Sequence, residues 1–368
     1  MADKISGTLS ENARVIIIDE SDWSIESNTE ESSGDFEITG LASGKKTVIG
    51  RTSNGFVTGY ANVDSAEIVY PSSDRGVVPA SGHTEDPAQY ISITTLGDAL
   101  EFGILTAERD LPSAGSNGTN NRGVFAGGDN ASSAQMNNID YITVSTTGDA
   151  ADFGDLIVAR ARANAVTNNT SNRMCVGAGE GAVSSPRPID YFTITSAGNA
   201  ADFGDLVKGN GDRASFSNGT NNRGMWLCGY DTDPYPNFTD DTIEYITISS
   251  LGNATDVANA PTKRRNVDGL SNLTGNRGVW GGGRTTGSSY TTLYYITIST
   301  GSVGGTFGNL TVARNDPPGT SNGTSNRGVW MGGSGNVIDY ITINSTGDAS
   351  DFGDLLYTKG GRALSNSS

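Results

Sequence analysis

The sequence predicts an all-β protein, with a six-bladed β-propeller preceded by a small β-sandwich. Glycine accounts for 50 of the 368 residues and charged residues for only 18%, a composition that favours short strands and turns over helices. Two short motifs recur six times each from position 75 onwards, and the segment 1–60 lacks both. The predicted organisation is therefore a 1–60 sandwich, a 61–74 linker and a 75–368 propeller.

The two recurring motifs define the repeating unit. One is a β-branched strand that begins with tyrosine: Tyr90, Tyr141, Tyr191, Tyr245, Tyr295 and Tyr340. The other is a short strand that begins with arginine: Arg75, Arg122, Arg173, Arg223, Arg277 and Arg327. The spacing from a tyrosine to the next arginine is the same in all five cases, whereas the spacing from arginine to tyrosine varies between 13 and 22. The first segment is predicted to be framework, and the second to contain a surface loop.

Each unit divides into four short strands. In the unit of Arg122, a strand ends in paired glycines, an alternating strand runs through Tyr141, and a short strand with two apolar anchors ends at Leu156. A polar stretch of small residues then leads to Arg173 as the fourth strand. Four strands in about 50 residues is the size of one propeller blade.

The order of arginine, Gly-Gly, variable loop, tyrosine strand, turn, aromatic residue and leucine resembles the kelch repeat. The aromatic residue is phenylalanine instead of the usual tryptophan, and Val257 replaces it in one unit. The paired glycines are missing in the units of Arg173 and Arg223. The amino-acid sequence of the repeat is similar to that of kelch-like proteins of marine tailed phages. This resemblance implies a propeller, but it implies little about function, because propellers serve many functions.

The segment 1–60 forms short alternating strands with turns at Gly34, Gly40 and Gly44. The run from Gly34 to Val48 resembles the carboxypeptidase-regulatory-like, transthyretin-like β-sandwich. That resemblance implies a module that acts as a spacer or a docking platform.

The spacing also predicts how the ring closes. A seventh arginine would fall just beyond Ser368, so the last unit is cut short. The run that begins at Arg362 aligns with the run that begins at Arg213. We therefore expect the C-terminal segment to supply the inner strand of the blade built by residues 75–105. The rival donor is the segment 66–70.

Composition excludes several function classes. The net charge of −17 disfavours binding to nucleic acids or anionic membranes. One histidine, His83, and two cysteines, Cys175 and Cys228, cannot build a multi-histidine or zinc site, and a disulfide framework is not expected. No nucleophile elbow, P-loop or metalloprotease motif is present. The prediction is a non-enzymatic protein without a cofactor, and a glycan-active propeller enzyme remains an alternative.

Two positions that are equivalent in all six units are candidates for a functional role. Three positions after each repeat arginine the chain has Val78, Phe125, Val176, Trp226, Trp280 and Trp330. For this column we favour packing between blades over a sugar-binding aromatic ring. For the six arginines we favour a structural ladder, each bonding a carboxylate or carbonyl between blades, over an anion-binding ring. The acids of Gly-Asp-Ala and Phe-Gly-Asp are predicted to be partners or turn caps.

The longest variable loop, in the unit of Arg223, is the predicted interaction site. It combines aromatic and acidic residues: Tyr230, Asp231, Asp233, Tyr235, Phe238, Asp240 and Asp241. Aromatic side chains provide flat contact area for a protein or a sugar, and carboxylates are oxygen ligands that Ca²⁺ accepts. We rank contact with another subunit first, contact with a glycan or receptor second and a Ca²⁺ site third; metal ligands remain undefined.

A sandwich followed by a propeller resembles a surface-displayed binding protein, yet the sequence shows no export signal. A surface protein of a tailed phage would need no export signal, because virion proteins are made in the host cytoplasm and released by lysis. The prediction is a virion surface protein, tail-associated and involved in host attachment, with the sandwich docked and the propeller displayed. Its partners would be other virion proteins and a host-surface glycan or protein, with homo-oligomerisation left open. The alternatives are a capsid decoration protein and a bacterial propeller lectin or scaffold.

Overall fold

The computed structural model describes six strands within residues 3–57, and residues 74–79, 86–168, 172–181, 187–208, 211–231, 238–357 and 361–366. Contacts divide the chain into two units, Met1–Tyr70 and Pro71–Ser368, and each is described by itself.

The first unit contains two antiparallel sheets, with strand orders β1-β4 and β3-β2-β5-β6. The strands are β1 (Asp3–Leu9), β2 (Ala13–Asp19), β3 (Ile25–Glu31), β4 (Gly34–Leu41), β5 (Lys46–Thr52) and β6 (Gly55–Val57). The side chains of this unit and residues 58–73 lie outside the described part of the chain. The β-sandwich and the linker at 61–74 therefore stay predictions.

The second unit consists of six antiparallel blades of four strands each. Blade 1 has β7 (Arg75–Val78), β8 (Ala88–Ser92), β9 (Leu100–Gly103) and the C-terminal β32 (Leu364–Ser365). Blade 2 has β10 (Ser113–Ser116), β11 (Arg122–Ala126), β12 (Asn138–Thr143) and β13 (Ala151–Asp155). Blade 3 has β14 (Asn164–Asn168), β15 (Arg173–Gly177), β16 (Pro188–Thr193) and β17 (Ala201–Asp205).

The other three blades follow the same order. Blade 4 has β18 (Ala214–Ser217), β19 (Arg223–Leu227), β22 (Thr242–Thr247) and β23 (Thr255–Asn259), with an inserted hairpin of β20 (Tyr230–Asp231) and β21 (Phe238–Thr239). Blade 5 has β24 (Arg265–Ser271), β25 (Arg277–Arg284), β26 (Tyr290–Thr297) and β27 (Ser302–Arg314). Blade 6 has β28 (Gly319–Ser321), β29 (Arg327–Met331), β30 (Val337–Thr342) and β31 (Ser350–Asp354).

The inner strands form a closed ring. Each contacts the next in the order β32, β10, β14, β18, β24, β28 and back to β32. The predicted all-β, six-bladed propeller is therefore confirmed. In the described residues the helical segments are four short 3-10 turns: Gly118–Asn120, Gly219–Asn221, Leu273–Gly275 and Gly323–Ser325. Within that part of the chain, no helix has the length and apolar character that crossing a membrane requires.

The antiparallel order places the variable connections on one side of the ring. In each blade a turn joins the inner strand to the antiparallel arginine strand. The end of the arginine strand therefore lies beside the start of the inner strand, and in blade 3 the bridge between Ala161 and Glu180 continues this pairing. We call this side the loop face and the opposite side the turn face. The prediction that one rim carries the variable loops is confirmed for the described residues of these loops.

Each repeat arginine stacks on the repeat tyrosine of its own blade. The guanidinium carbon lies 3.8–4.8 Å from the ring centroid in all six blades, within the range of a cation–π contact. In five blades the tyrosine ring also meets the outer-strand phenylalanine near edge-on, with centroids 5.9–6.3 Å apart. Arginine, tyrosine and phenylalanine thus form one stack across the strands of a blade.

The same arginines link each blade to the next. Their Nη1 atoms donate to main-chain carbonyls 2.9–3.5 Å away, from Arg75 to Val144, Arg122 to Ile194, Arg173 to Ile248, Arg223 to Ile298, Arg277 to Ile343 and Arg327 to Ile93. The last contact runs from blade 6 to blade 1. The six guanidinium groups are therefore engaged in the joints between blades.

The Phe-Gly-Asp and Gly-Asp-Ala motifs form a second joint at the outer strands. The amide of Gly252, whose unit has Gly-Asn-Ala in place of Gly-Asp-Ala, donates to the carbonyl of Phe203 in the preceding blade at 2.9 Å. Gly204 has a φ of +145°, and a Cβ there would lie 2.5 Å from the Gly252 oxygen, so a larger residue would not fit. The acids of Gly-Asp-Ala act as caps in this joint: Asp149 accepts the amide of Ile104 at 3.1 Å.

One joint departs from this pattern, and both sides of it have changed. Blade 4 has Val257 in place of phenylalanine, and in blade 5 the turn after the tyrosine strand leads into the unusually long β27. A Cβ on Gly301 in that turn would lie 2.4 Å from Val257. The two departures from the repeat therefore meet at a single contact.

The C-terminal segment closes the ring. Leu364 pairs with Val77 and Ser365 with Gly76, so β32 is the inner strand of blade 1. This confirms the predicted closure. The predicted alignment with Arg213 is one position out of register, because Ser365 pairs with Gly76 as Ser217 pairs with Gly224 in blade 4.

A serine–asparagine pair sets that register. Asn366 Oδ1 accepts the amide of Arg75 at 2.9 Å, as Asn218 accepts that of Arg223 at 2.8 Å. Ser365 Oγ donates to the carbonyl of Ser321 in the neighbouring blade at 2.7 Å, and other inner strands repeat this bond. The tail therefore reproduces the polar contacts of an internal repeat as well as its strand pairing.

Deleting residues 360–368 is expected to lower the melting temperature strongly or to cause aggregation, because it exposes the edge of β7 and opens the ring. Thermal denaturation and light scattering measure both effects. Deleting only residues 367–368 is the matched control, and it should leave melting close to that of the full chain. A melting temperature unchanged by the longer deletion would contradict the closing role of the tail.

A second set of arginines is buried in the connections between blades. Each of four pairs with the acid that lies just before the repeat tyrosine of the next blade: Arg109 with Asp140, Arg160 with Asp190, Arg213 with Glu244 and Arg314 with Asp339. The acid also accepts a main-chain amide from the same connection, as Asp190 does from Ile157 at 2.9 Å. Burial lowers the pKa of Arg160, and the nearby Asp190 carboxylate opposes this shift.

The lengths of the paired side chains are matched. Arg213 stands closer in sequence to its repeat arginine, Arg223, than the other three stand to theirs, as the wider spacing from Arg160 to Arg173 illustrates. Its partner is Glu244 in place of aspartate, which is one methylene longer. The longer acid thus compensates for the displaced arginine.

Replacing Glu244 by Asp is expected to destabilise the protein by about 2–4 kcal/mol, because the shorter acid leaves a buried guanidinium without its full pairing. Chemical denaturation measures the change in the free energy of unfolding. Glu108→Asp, the same substitution at an exposed position, is the control and should change this free energy by less than about 0.5 kcal/mol. Equal stabilities of the two variants would contradict the matched-length interpretation.

Candidate functional site

The residues predicted for the interaction loop are only partly described. Asp233 and Tyr235 lie outside the described residues, and for Asp231 and Phe238 only the backbone pairing of the hairpin is described. Asp240 accepts the amides of Asp241 and Thr242 at 2.7 and 3.0 Å, so it caps the turn before β22. The loop as an interaction site stays a prediction.

Tyr230 joins two blades. It is only 6% exposed, and its hydroxyl donates to Glu180 Oε1 of blade 3 at 2.7 Å. Burial, with the neighbouring Glu180 carboxylate, raises the pKa of Tyr230. The Tyr230 ring is therefore not available as a flat contact surface.

The tryptophan column is buried between blades. Trp226, Trp280 and Trp330 are at most 2% exposed. Trp226 Nε1 donates to the carbonyl of Asn164 in blade 3 at 3.1 Å. These indoles pack against the preceding blade, and no sugar reaches their faces.

Histidine and cysteine side chains act in catalysis and metal binding in many proteins. His83 lies outside the described residues. Cys175 and Cys228 are free and buried, and burial raises the pKa of Cys228 to about 12, so this thiol is not a ready nucleophile. Among the described residues, no group of three or more His, Cys, Asp or Glu side chains is placed to hold a metal ion. The Ca²⁺ alternative, which includes Asp231 and Asp233, stays a prediction.

The inner strands enclose a central channel with a cavity of about 90 Å³. All six blades contribute to its lining, which includes Gly115, Thr167, Ser217, Ser271, Thr320 and Leu364. Most of the wall is made of small, hydroxyl-bearing and aliphatic residues, and Phe216, Asp268 and Arg362 also line it.

The mouth of the channel on the loop face carries charged and polar residues. Equivalent positions, six before the repeated asparagine that follows each inner strand, hold Arg162, Asp212, Asn266 and Asp316 in successive blades. All four have φ values between 50° and 58°, a left-handed conformation that is uncommon outside glycine. The charge at this position varies from blade to blade, whereas the asparagine six positions later is constant.

Hydrogen bonds and ion pairs connect these residues in two groups. In the first, Arg162 lies 3.3 Å from Asp212 and 3.5 Å from Glu180, the carboxylate that Tyr230 also contacts. Burial raises the pKa of Asp212, and the Asp316 carboxylate adds to the rise, whereas Arg162 opposes it.

In the second group, Asn266 Nδ2 donates to Asp316 at 2.7 Å, and Asn266 Oδ1 accepts from Arg284 Nε at 2.9 Å. We call these residues the mouth cluster: Arg162, Glu180, Asp212, Asn266, Arg284 and Asp316. The cluster offers donors and acceptors to a polar ligand at the loop face.

Below the mouth cluster, Arg362 of the C-terminal segment spans the channel. Its Nη2 donates to Asn164 Oδ1 of blade 3 at 3.2 Å and to the Arg213 carbonyl at the start of blade 4 at 3.3 Å. Its Nε lies 3.9 Å from Asp268 Oδ1 of blade 5. Since Arg362 precedes β32 in blade 1, its side chain ties the tail to the opposite wall of the ring.

Asp268 is itself held by the framework. It accepts the amides of Gly269 and Gly319 at 2.8 and 2.9 Å. Burial raises the pKa of Asp268 to about 6, and Arg362 and the two amides limit that rise.

Sequence reasoning did not find the mouth cluster or the contacts of Arg362. The available signal was the position just before each inner strand, where the units differ in charge. The chain matches no protein-family model, and no curated protein shows significant similarity to it. The resemblance to kelch repeats therefore depends on the residues of the repeat itself.

The stability difference between the native protein and Asp268→Asn is expected to depend on pH. The folded state binds the Asp268 proton more tightly than the unfolded chain, so the stability contributed by this proton is lost as pH rises from about 4 to about 6. The difference in unfolding free energy should therefore be larger at pH 4.5 than at pH 7, by about 2 kcal/mol.

Urea denaturation across this pH range measures the effect, with Asp256→Asn on the exposed outer strand as the matched control. If pairing with Arg362 outweighed burial, the difference would instead grow towards pH 7. That result would contradict the expected sign.

Proposed function

We propose that this chain is a non-enzymatic binding protein displayed on the surface of a tailed-phage virion. In this proposal the N-terminal unit docks to the particle, and the loop face of the propeller contacts the host surface. The observation that carries the binding role is the separation of the two faces. Repeated joints occupy the interior and the turn face, whereas the changes in loop length lie on the loop face, where the charge at the channel mouth also varies from blade to blade.

The framework explains why variation is confined in this way. The repeat arginines, tyrosines and outer-strand glycines are all used in contacts within or between blades, as shown by Arg173 and Gly204. A change at these positions would disturb a joint. The loops between the arginine and tyrosine strands, and the mouth positions of Arg162, Asp212, Asn266 and Asp316, have no such repeated contact, so a binding surface can vary there without loss of the fold.

A role in the virion is supported by the similarity of the repeat sequence to that of kelch-like proteins of marine tailed phages. A tail-associated role in host attachment ranks first, and capsid decoration is the competing outcome of the test. Antibodies raised against the propeller should label purified virions of the phage that encodes this chain. Label at the tail supports attachment, label over the head supports decoration, and unlabelled virions would contradict the virion role.

Arginines placed at exposed sites of the loop face should reduce host-cell binding by about tenfold or more, because they block the contact surface. The loop-face variant is Ser132→Arg with Ser288→Arg. The matched control on the turn face is Ser196→Arg with Ser250→Arg, since all four serines are exposed. Cosedimentation of the labelled protein with host cells measures binding, and melting temperature checks folding. Equal binding of the two folded variants would contradict the proposed role of the loop face.

A further inference from the structure

The side chain of Arg362 lies in a site built by three other blades. The residue is 5% exposed, and its Nη2 donates to the side-chain oxygen of Asn164 and to the carbonyl of Arg213. Its Nη1 donates to the carbonyl of Gly361 at 2.9 Å. The Nε atom makes no hydrogen bond within the described part of the chain, but it lies 3.9 Å from the Asp268 carboxylate, within the distance of an ion pair.

Contacts with the framework position the residues that carry these acceptors. Two main-chain amides hold the Asp268 carboxylate, and Trp226 donates to the main-chain carbonyl of Asn164, whose side-chain oxygen is the acceptor of Arg362. The residue Arg213 is fixed by its own buried pairing with Glu244. A site whose groups are held before the ligand arrives loses little entropy on binding.

We propose that the central channel is a receptor for a guanidinium group, and that Arg362 is its resident ligand. The proposal is separate from the virion role above. The ligand class is an alkylguanidinium or an arginine side chain, which the site accepts when the chain's own Arg362 is absent.

The arrangement of acceptors selects a guanidinium over an ammonium group. Nη2 donates to oxygen atoms of two blades, Nη1 donates to Gly361, and the Asp268 carboxylate of a third blade lies at ion-pair distance from Nε. A guanidinium presents five N–H donors in a rigid plane, whereas an ammonium is a compact point charge. The surrounding charge also favours a cation, since Asp212 interacts electrostatically with Arg362, and Asp316 with Asp268.

The test uses the full-length Arg362→Ala variant and ethylguanidinium, which replaces the side-chain atoms that the substitution removes. The variant should melt below the native protein, and millimolar ethylguanidinium should raise its melting temperature with a saturable dependence on concentration. The native protein should show no such rise, because Arg362 fills the site. Ethylammonium at the same ionic strength should not restore stability.

The double variant Arg362→Ala with Asp268→Asn is the matched control and should not respond to ethylguanidinium. An absent or unsaturable response of Arg362→Ala, or an equal response to ethylammonium or in the double variant, would overturn the proposal.

A second measurement tests the proposal even if the Arg362→Ala variant does not fold. With Arg362 intact, Asp268→Asn should speed amide hydrogen exchange in residues 361–366 by about tenfold, while β14 keeps its protection. Unchanged exchange in the tail would likewise overturn the proposal.

Discussion

The pairing of the C-terminal segment with the first blade is the constraint on which the rest of this structure depends. A propeller blade presents an unpaired edge and an uncovered face unless the ring around it is complete. Here the last inner strand comes from the opposite end of the propeller sequence, since Asn366 bonds to Arg75. Ser365 and Asn366 supply the same bonds as an internal repeat, so blade 1 acquires the contacts of the other blades only after the two ends of the propeller have met.

Within the closed ring, stability comes from a few polar contacts that recur from joint to joint. The repeat arginine stacks on the tyrosine of its own blade and donates to a carbonyl of the next one. At four joints a second, buried arginine pairs with an acid of the next blade, and the longer acid Glu244 compensates for the displaced Arg213. Buried charges tolerate little mismatch, because an incomplete pair leaves a desolvated charge.

The channel links ring closure to a polar site. Arg362 belongs to the segment that closes blade 1, yet its guanidinium contacts Asn164 and Asp268 on the opposite wall. The tail is thus held at two places, by strand pairing at the edge of β7 and by a cation in the channel. The mouth cluster lies on the same side as the variable loops. Positions whose residues differ between blades therefore lie together on that face.

The sequence by itself determined the strand content, the number of blades and the face of the variable loops, and it favoured the C-terminal segment over 66–70 as the closing strand. These follow from short-range patterns and constant spacings, which are local properties of the chain. Only the tertiary structure decided the register of the tail, the burial of Tyr230, the grouping of Arg162, Asp212 and Asp316, and the path of Arg362 across the channel. Those features depend on contacts between groups far apart in the sequence, such as Tyr230 with Glu180 and Arg362 with Asn164, which ring closure brings together and no local pattern encodes.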